Sequence, residues 1–247
     1  MTQMVLREDK DGLATLILNR PEKLNSLSIG LFQELLAHVE EIAQSASISC
    51  VLLRGAGRGF CAGNDLNDIE AGKTPPRPNF QSHVVAALAD LPQPLIAAVH
   101  GACFTGGLEL ALAADIILAS ANAKFGDTHG KFALTPVWGM SQRLPRRIGR
   151  AKAAEMMFTC AAYSGAEAEA MGLANKCFPD AEFDAGVEAF ARSITANSPF
   201  TLRANKRLLR RTDGMSLDEG LAYEVFNTEG VGPDMQARIA AFTQKKK

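Results

Sequence analysis

His100-Gly101-Ala102-Cys103-Phe104-Thr105-Gly106-Gly107-Leu108-Glu109-Leu110-Ala111-Leu112-Ala113-Ala114-Asp115 decides how the rest of the chain is read. The apolar run Pro94 to Val99 before it has the character of a buried strand, and after a glycine-containing turn a helix should begin near Gly106. Leu108, Leu110, Ala111, Leu112, Ala113 and Ala114 leave that helix apolar almost all round, as suits a core helix. Its first turn nevertheless carries Glu109. A lone carboxylate is costly to bury, so it must pair, shift its pKa or take part in chemistry. Gly106 and Glu109 are three residues apart and share a face. The glycines permit close approach to the backbone, and the first N–H groups point outward at the positive end of the helix dipole. One face would then offer an oxyanion-binding N–H beside a carboxylate base. An acid in a first turn also simply complements the dipole, and Thr105 could be an ordinary N-cap; a capping box would need Glu at 108, where Leu108 stands.

The whole chain sets wide bounds. Its 247 residues, 47% of them hydrophobic, suffice for one large domain or a domain with an appendage. A net charge of −1 leaves no electrostatic footprint for nucleic acid. The opening Met1-Thr2-Gln3-Met4-Val5 lacks the charged and apolar regions of a signal peptide, and no apolar run reaches about 18 residues. Neither a secreted nor a membrane-spanning protein is expected. Cys50, Cys61, Cys103, Cys160 and Cys177 are odd in number and contain no C-x-x-C, so reduced cysteines in a cytoplasmic protein are expected, without a metal site.

In chain order, Val5–Glu8 and Leu13–Leu18 flank Asp11-Gly12, a hairpin signal. Ser28 can cap a helix to about Ala43, with Leu31, Leu35, Leu36, Val39 and Ile42 at helical spacing. Ser49–Arg54 is a short apolar strand. Gly55 to Gly63 holds four glycines without the P-loop pattern, so a turn or a close approach to backbone is expected rather than a nucleotide cradle. Gly72–Asn79, with three prolines, is the best candidate for a mobile segment. A helix over His83–Leu91, the opening strand, turn and helix, and a strand over Ile116–Ala119 follow. This alternation argues for an α/β fold with a covered sheet. Beyond Gly139 the segments Arg150–Thr159, Gly165–Met171, Ala181–Ala196, Pro199–Arg211 and Leu217–Asn227 read as helices, better suited to a cap or an oligomer contact than to further layers of sheet.

Phe60-Cys61-Ala62-Gly63-Asn64-Asp65-Leu66 together with Gly101 to Ala111 resembles the two signature segments of the crotonase (enoyl-CoA hydratase/isomerase) superfamily. The resemblance extends to Leu18-Asn19-Arg20-Pro21 with Leu24-Asn25-Ser26-Leu27, to Ala123–Gly126 with Ser141–Pro145, and to Ser164–Ala168 with Met171-Gly172-Leu173. It implies a repeated ββα spiral core over 1–190 that binds acyl-CoA. It also implies a helical region over 191–247 that joins subunits into a trimer or a dimer of trimers and covers the CoA.

The same resemblance implies the chemistry. Two backbone N–H groups, by position those of Asn64 and Gly106, would stabilise the enolate oxygen of an acyl-CoA thioester, each contributing roughly 2.7–4 kcal/mol. Glu109 matches the first of the family's two glutamates; the second falls on His129. Histidine exchanges protons near neutral pH and could substitute, with Asp127 tuning it, or could simply fill a changed pocket. A position used as aspartate by dienoyl isomerases and aryl-CoA dehalogenases falls on Val137, which can act neither as base nor as nucleophile. Trp138 beside it could shape the acyl end or belong to the core. His83 and His100 read as structural. For CoA, Lys23, Leu24, Ala62, Asn64, Asp65, Leu66, Gly106, Phe226 and Lys245 occupy the matching positions. No cofactor beyond the CoA of the substrate is implied. The implied activity is hydration of a 2-enoyl-CoA; isomerisation, decarboxylation, or a CoA-ester-binding protein that has lost activity remain alternatives.

Overall fold

The computed structural model describes residues 3–244, and Lys245 therefore lies outside the described residues. The chain opens with β1 (Val5–Lys10) and β2 (Leu13–Leu18), an antiparallel hairpin turned by Asp11 and Gly12, both at positive φ. That is the two-residue turn whose twist suits paired strands. α1 (Ile29–Gln44) follows, with the Ser28 hydroxyl accepting the Leu31 N–H as its N-cap. Then come β3 (Cys50–Gly55), α2 (Leu66–Glu70), α3 (Phe80–Ala89), β4 (Leu95–Val99), β5 (Ala102–Phe104) and α4 (Gly106–Ala111). β6 (Ile116–Ser120) and β7 (Lys124–Gly126) lead through a 3₁₀ turn at His129–Phe132 into α5 (Met140–Ile148) and α6 (Arg150–Thr159). β8 (Tyr163–Ser164), α7 (Gly165–Ala170), β9 (Lys176–Phe178) and the helices α8 (Phe183–Thr195), α9 (Pro199–Arg211), α10 (Leu217–Asn227) and α11 (Met235–Gln244) complete the chain.

Six strands form one sheet in the order β1-β2-β3-β4-β6-β9, parallel from β2 onward. A second sheet, β5-β7-β8, takes the short strand that follows each central strand of the first. Cys61 adds a rung to it through a parallel bridge to Cys103. Large-sheet strand, small-sheet strand and helix thus recur along the chain, the ββα spiral expected of the crotonase fold. Parallel central strands need cover on both faces, which explains why β4 is buried along its whole length. Val51, Leu53, Ala97, Val99 and Ile117 face the main core with α1, α3 and α4. Leu52, Ile96, Ala98 and Leu118 face the other way, against Phe183, Val187 and Ala191 of α8.

That second contact corrects one expectation: α8 is not a separate cap but the cover of the back face of the sheet. A division at 190/191 would pass through it. α9 is fastened to loops of the core, with Lys206 buried and its Nζ bonded to Gln93 O and to Asp115. α10 and α11 bury no residue in this chain and expose Leu217, Leu221, Val225, Phe226, Ile239 and Phe242. No helix among the described residues is long and apolar enough to cross a membrane.

Candidate active site

The early turn is brought to the glycine loop by one buried side chain. Asn25 accepts the Arg20 N–H at 2.8 Å through Oδ1 and donates through Nδ2 to Ala56 O at 2.9 Å and Gly59 O at 2.8 Å. The Ala62 N–H then donates to Leu24 O at 2.9 Å. This places Lys23 beside Ala62, Asn64, Asp65 and Leu66, and all five line one cavity of about 320 Å³ with Ile69, Thr105, Thr128, Phe132 and Leu134. Leu24 itself does not line it. Asp65 is committed elsewhere: it caps α2 and pairs with Arg20 at 2.8 Å. Burial opposes its charge, but the Arg20 hydrogen bond, the Asn67 N–H and the nearby cations outweigh that and hold its carboxyl below the usual range. Phe226 lies on α10, is exposed, and does not line this cavity in its own chain.

Two backbone N–H groups come together beside the cavity, which Asn64 lines and Gly106, Glu109 and His129 do not. Asn64 N stands 3.4 Å from where a Cβ on Gly106 would be, and neither N–H has an acceptor among the described residues. Glycine is required at both neighbouring turns. Gly63 has φ +112°, and a Cβ there would press on Phe104 O at 3.1 Å. A Cβ on Gly106 would enter the ring of Trp138, which is buried and packed edge-on against Phe32 with ring centroids 5.1 Å apart. Trp138 therefore has the core role and backs the turn.

Glu109 is 1% exposed. Its Oε1 accepts the Trp138 N–H at 2.9 Å and the Met140 N–H at 3.1 Å, which anchors the entry to α5. Its Oε2 is left facing His129, whose Nε2 is 3.8 Å away. His129 lies in the 3₁₀ turn after β7 and is itself buried. Asp127 meets it after all: Oδ1 accepts from Nδ1 at 2.6 Å and from the His129 N–H at 3.1 Å. That bond places the ring proton on Nδ1 and aims Nε2 at the glutamate.

Burial pushes the Glu109 carboxyl above its ordinary value; the Met140 N–H, the charge of His129 and the Trp138 N–H oppose this without cancelling it. Burial alone would lower the imidazole, but the Asp127 hydrogen bond, its charge and that of Glu109 outweigh it, so His129 titrates above its ordinary 6.5. A carboxylate moved toward neutrality is a stronger base, and an imidazole moved upward keeps its proton longer. The arrangement can therefore accept a proton at one position and give one at the other, a few ångströms apart.

The remaining sequence candidates fall outside this chemistry. Thr105 precedes α4, but its hydroxyl makes no capping bond and is turned toward Thr128, which corrects the plain N-cap reading. α4 also stops at Ala111, short of the apolar run to Ala114. Val137 is 67% exposed and offers only its carbonyl, to the Ser82 hydroxyl at 2.8 Å. His100 donates from Nε2 to Gly57 O at 2.8 Å, and His83 is exposed on α3, as structural residues would be. Among the described residues no group of His, Cys, Asp and Glu side chains could hold a metal ion.

Comparison with known proteins identifies the family. The fold is that of the crotonase superfamily. A family model described as enoyl-CoA hydratase/isomerase matches residues 8–247. The chain is 32% identical over 265 residues to the peroxisomal Delta(3,5)-Delta(2,4)-dienoyl-CoA isomerase of Arabidopsis thaliana, covering 100% of this chain and 95% of that protein. It is 33% identical over 255 residues to 1,2-epoxyphenylacetyl-CoA isomerase of Escherichia coli (strain K12), covering 100% and 97%. The crystal structure of enoyl-CoA hydratase from Bacillus anthracis superposes with a TM-score of 0.91 at 32% identity, covering 98% of this chain and 97% of that one. The chain belongs to the enoyl-CoA hydratase/isomerase family.

Proposed function

We propose that the protein hydrates a 2-enoyl-CoA thioester. The observation that carries this reading is a buried carboxylate and an imidazole 3.8 Å apart, with Glu109 in the first turn of the helix whose first residue, Gly106, carries one of two N–H groups that have no acceptor among the described residues. The thioester carbonyl oxygen would accept from Asn64 N–H and Gly106 N–H. Glu109 Oε2 takes a proton from water as the water oxygen bonds to the β-carbon, and the electron pair of the double bond moves toward the thioester. The resulting enolate charge rests on the oxygen between the two N–H groups. Charged His129 gives its Nε2 proton to the α-carbon. The proton held by Glu109 then returns the imidazole to its starting state, so the protein is unchanged and one water has been added.

The CoA end would meet Lys23 and Leu66, which line the cavity, with Phe226 supplied by a neighbouring copy. We read the exposed apolar faces of α10 and α11 as subunit contacts of a trimer or a dimer of trimers, since apolar surface of this extent marks an interaction site. Five free cysteines fit a reducing, cytoplasmic setting. The test is incubation of the protein with short, medium, branched and aromatic 2-enoyl-CoAs, followed by mass analysis. Hydration gives a product one water heavier. An isobaric product or loss of carbon dioxide would replace hydration by isomerisation or decarboxylation, and no product from any thioester would remove the enzymatic reading.

A further inference from the structure

Two threonines stand where the parts of the site join. Thr105 immediately precedes Gly106, and Thr128 immediately precedes His129. Each is the N-cap of its helical segment, yet neither side chain caps it. The hydroxyls are instead bonded to each other, and the Thr128 N–H donates to Thr105 Oγ1 at 3.1 Å. The backbone reinforces the tie, with Thr105 N–H donating to Gly126 O at 2.9 Å.

Thr105 adopts this position against its own preference. Its φ of +51° and ψ of −112° belong to a region suited to glycine, and a β-branched residue there is an outlier that surrounding bonds must enforce. The peptide that is strained is the one whose N–H belongs to Gly106. Both hydroxyls are half-buried and line the same cavity as Asn64. Between them they hold two hydroxyl protons but need only one for their mutual bond, and the other has no acceptor among the described residues.

We propose that Thr105 and Thr128 are positioning residues: their hydroxyl pair locks the turn that presents the Gly106 N–H to the turn that presents His129. The inference rests on the reading of Gly106 as an oxyanion donor. Its consequence is that donor and proton source keep a fixed separation while charge moves from the double bond to the thioester oxygen. Such registration matters most in the transition state, so its loss should appear in kcat and not in KM.

The test uses Thr128→Val, Thr105→Val, the double variant and Thr128→Ser, each checked by circular dichroism. Thr128→Val should lower kcat by about three- to tenfold, the worth of one hydrogen bond, with KM little changed. The double variant should be no slower than the slower single, and Thr128→Ser should restore the rate. Infrared spectra of bound butyryl-CoA supply a readout independent of turnover: the thioester carbonyl band should shift to lower frequency on the wild type and less on Thr128→Val. A folded Thr128→Val with unchanged kcat and carbonyl shift, additive losses in the double variant, or failure of serine to rescue would overturn the pairing. A wild type that leaves the carbonyl band unshifted would overturn the oxyanion reading and the pairing with it.

Discussion

Glu109 has two tasks on two oxygens, and two substitutions separate them. Oε1 holds the Trp138 and Met140 N–H groups, while Oε2 faces His129. In Glu109→Gln the amide oxygen can still accept both N–H groups, and the buried ionisable group is gone. In Glu109→Ala both buried donors lose their acceptor, at about 1–3 kcal/mol each, so about 2–6 kcal/mol of stability should disappear. Activity should fall in both by about 10²–10⁴, the range for loss of a general base. Urea unfolding followed by the fluorescence of Trp138, the single tryptophan, reports stability at the anchored loop itself. Rates of enoyl-CoA hydration report the other oxygen. Glu109→Gln should be as stable as the wild type and nearly inactive; Glu109→Ala should be unstable and nearly inactive. Equal stability of the two variants would refute the anchoring of the α5 entry by Oε1. A fully active Glu109→Gln would refute the base.

The other expectations concern His129 and Gly106. Asp127→Asn keeps an acceptor for Nδ1 but removes the charge that raises the imidazole, so the alkaline limb of the rate profile, where the acid loses its proton, should move to lower pH; a limb that stays or rises contradicts the assignment. Because the folded-state pKa of His129 is raised, its contribution to stability is complete below 6.5 and is lost as pH rises through the raised value. Unfolding midpoints of wild type and His129→Gln should therefore converge with rising pH, and a gap that widens would reverse the sign. Gly106→Ala would put a Cβ into the Trp138 ring and displace the donor, lowering kcat by about 10²–10³; kinetics on a variant with native circular dichroism decide it.

Local signals were enough for the elements that carry their own pattern. The Asp11-Gly12 turn, the Ser28 cap and the apolar runs of β3 and β4 are properties of short windows. The family segments point to Asn64, Gly106, Glu109 and His129 as candidates. What escaped was set by tertiary contact. β5, β7 and β8 are two or three residues long, too short for periodicity to register, and exist because they pair with each other. α5 contains Pro145, which argues against a helix in a short window, and its residues carry a family motif without a clear helical period. The Trp138 and Met140 N–H groups that fix Glu109 are backbone atoms 29 and 31 positions away, without a side-chain signature. Asp127 was visible as a neighbour of His129, but their contact depends on the 3₁₀ turn that folds the segment back. α8 was readable as an amphipathic helix, while its place behind the sheet depended on which strands lay beside it.

The small sheet has a chemical consequence of its own. An enoyl thioester is electrophilic at its β-carbon, and a thiolate adds there more readily than water does, leaving a thioether. Cys61 directly precedes Ala62 at the cavity, so it is the side chain most at risk. The rung it forms with Cys103 in the second sheet turns both thiols into the core. Burial pushes Cys61 up to about 12 and Cys103 well above its ordinary value. At such values almost no thiolate exists at neutral pH, and the thiol is a poor nucleophile. The strand pairing that builds the site thus also protects the protein from alkylation by the electrophiles its family handles.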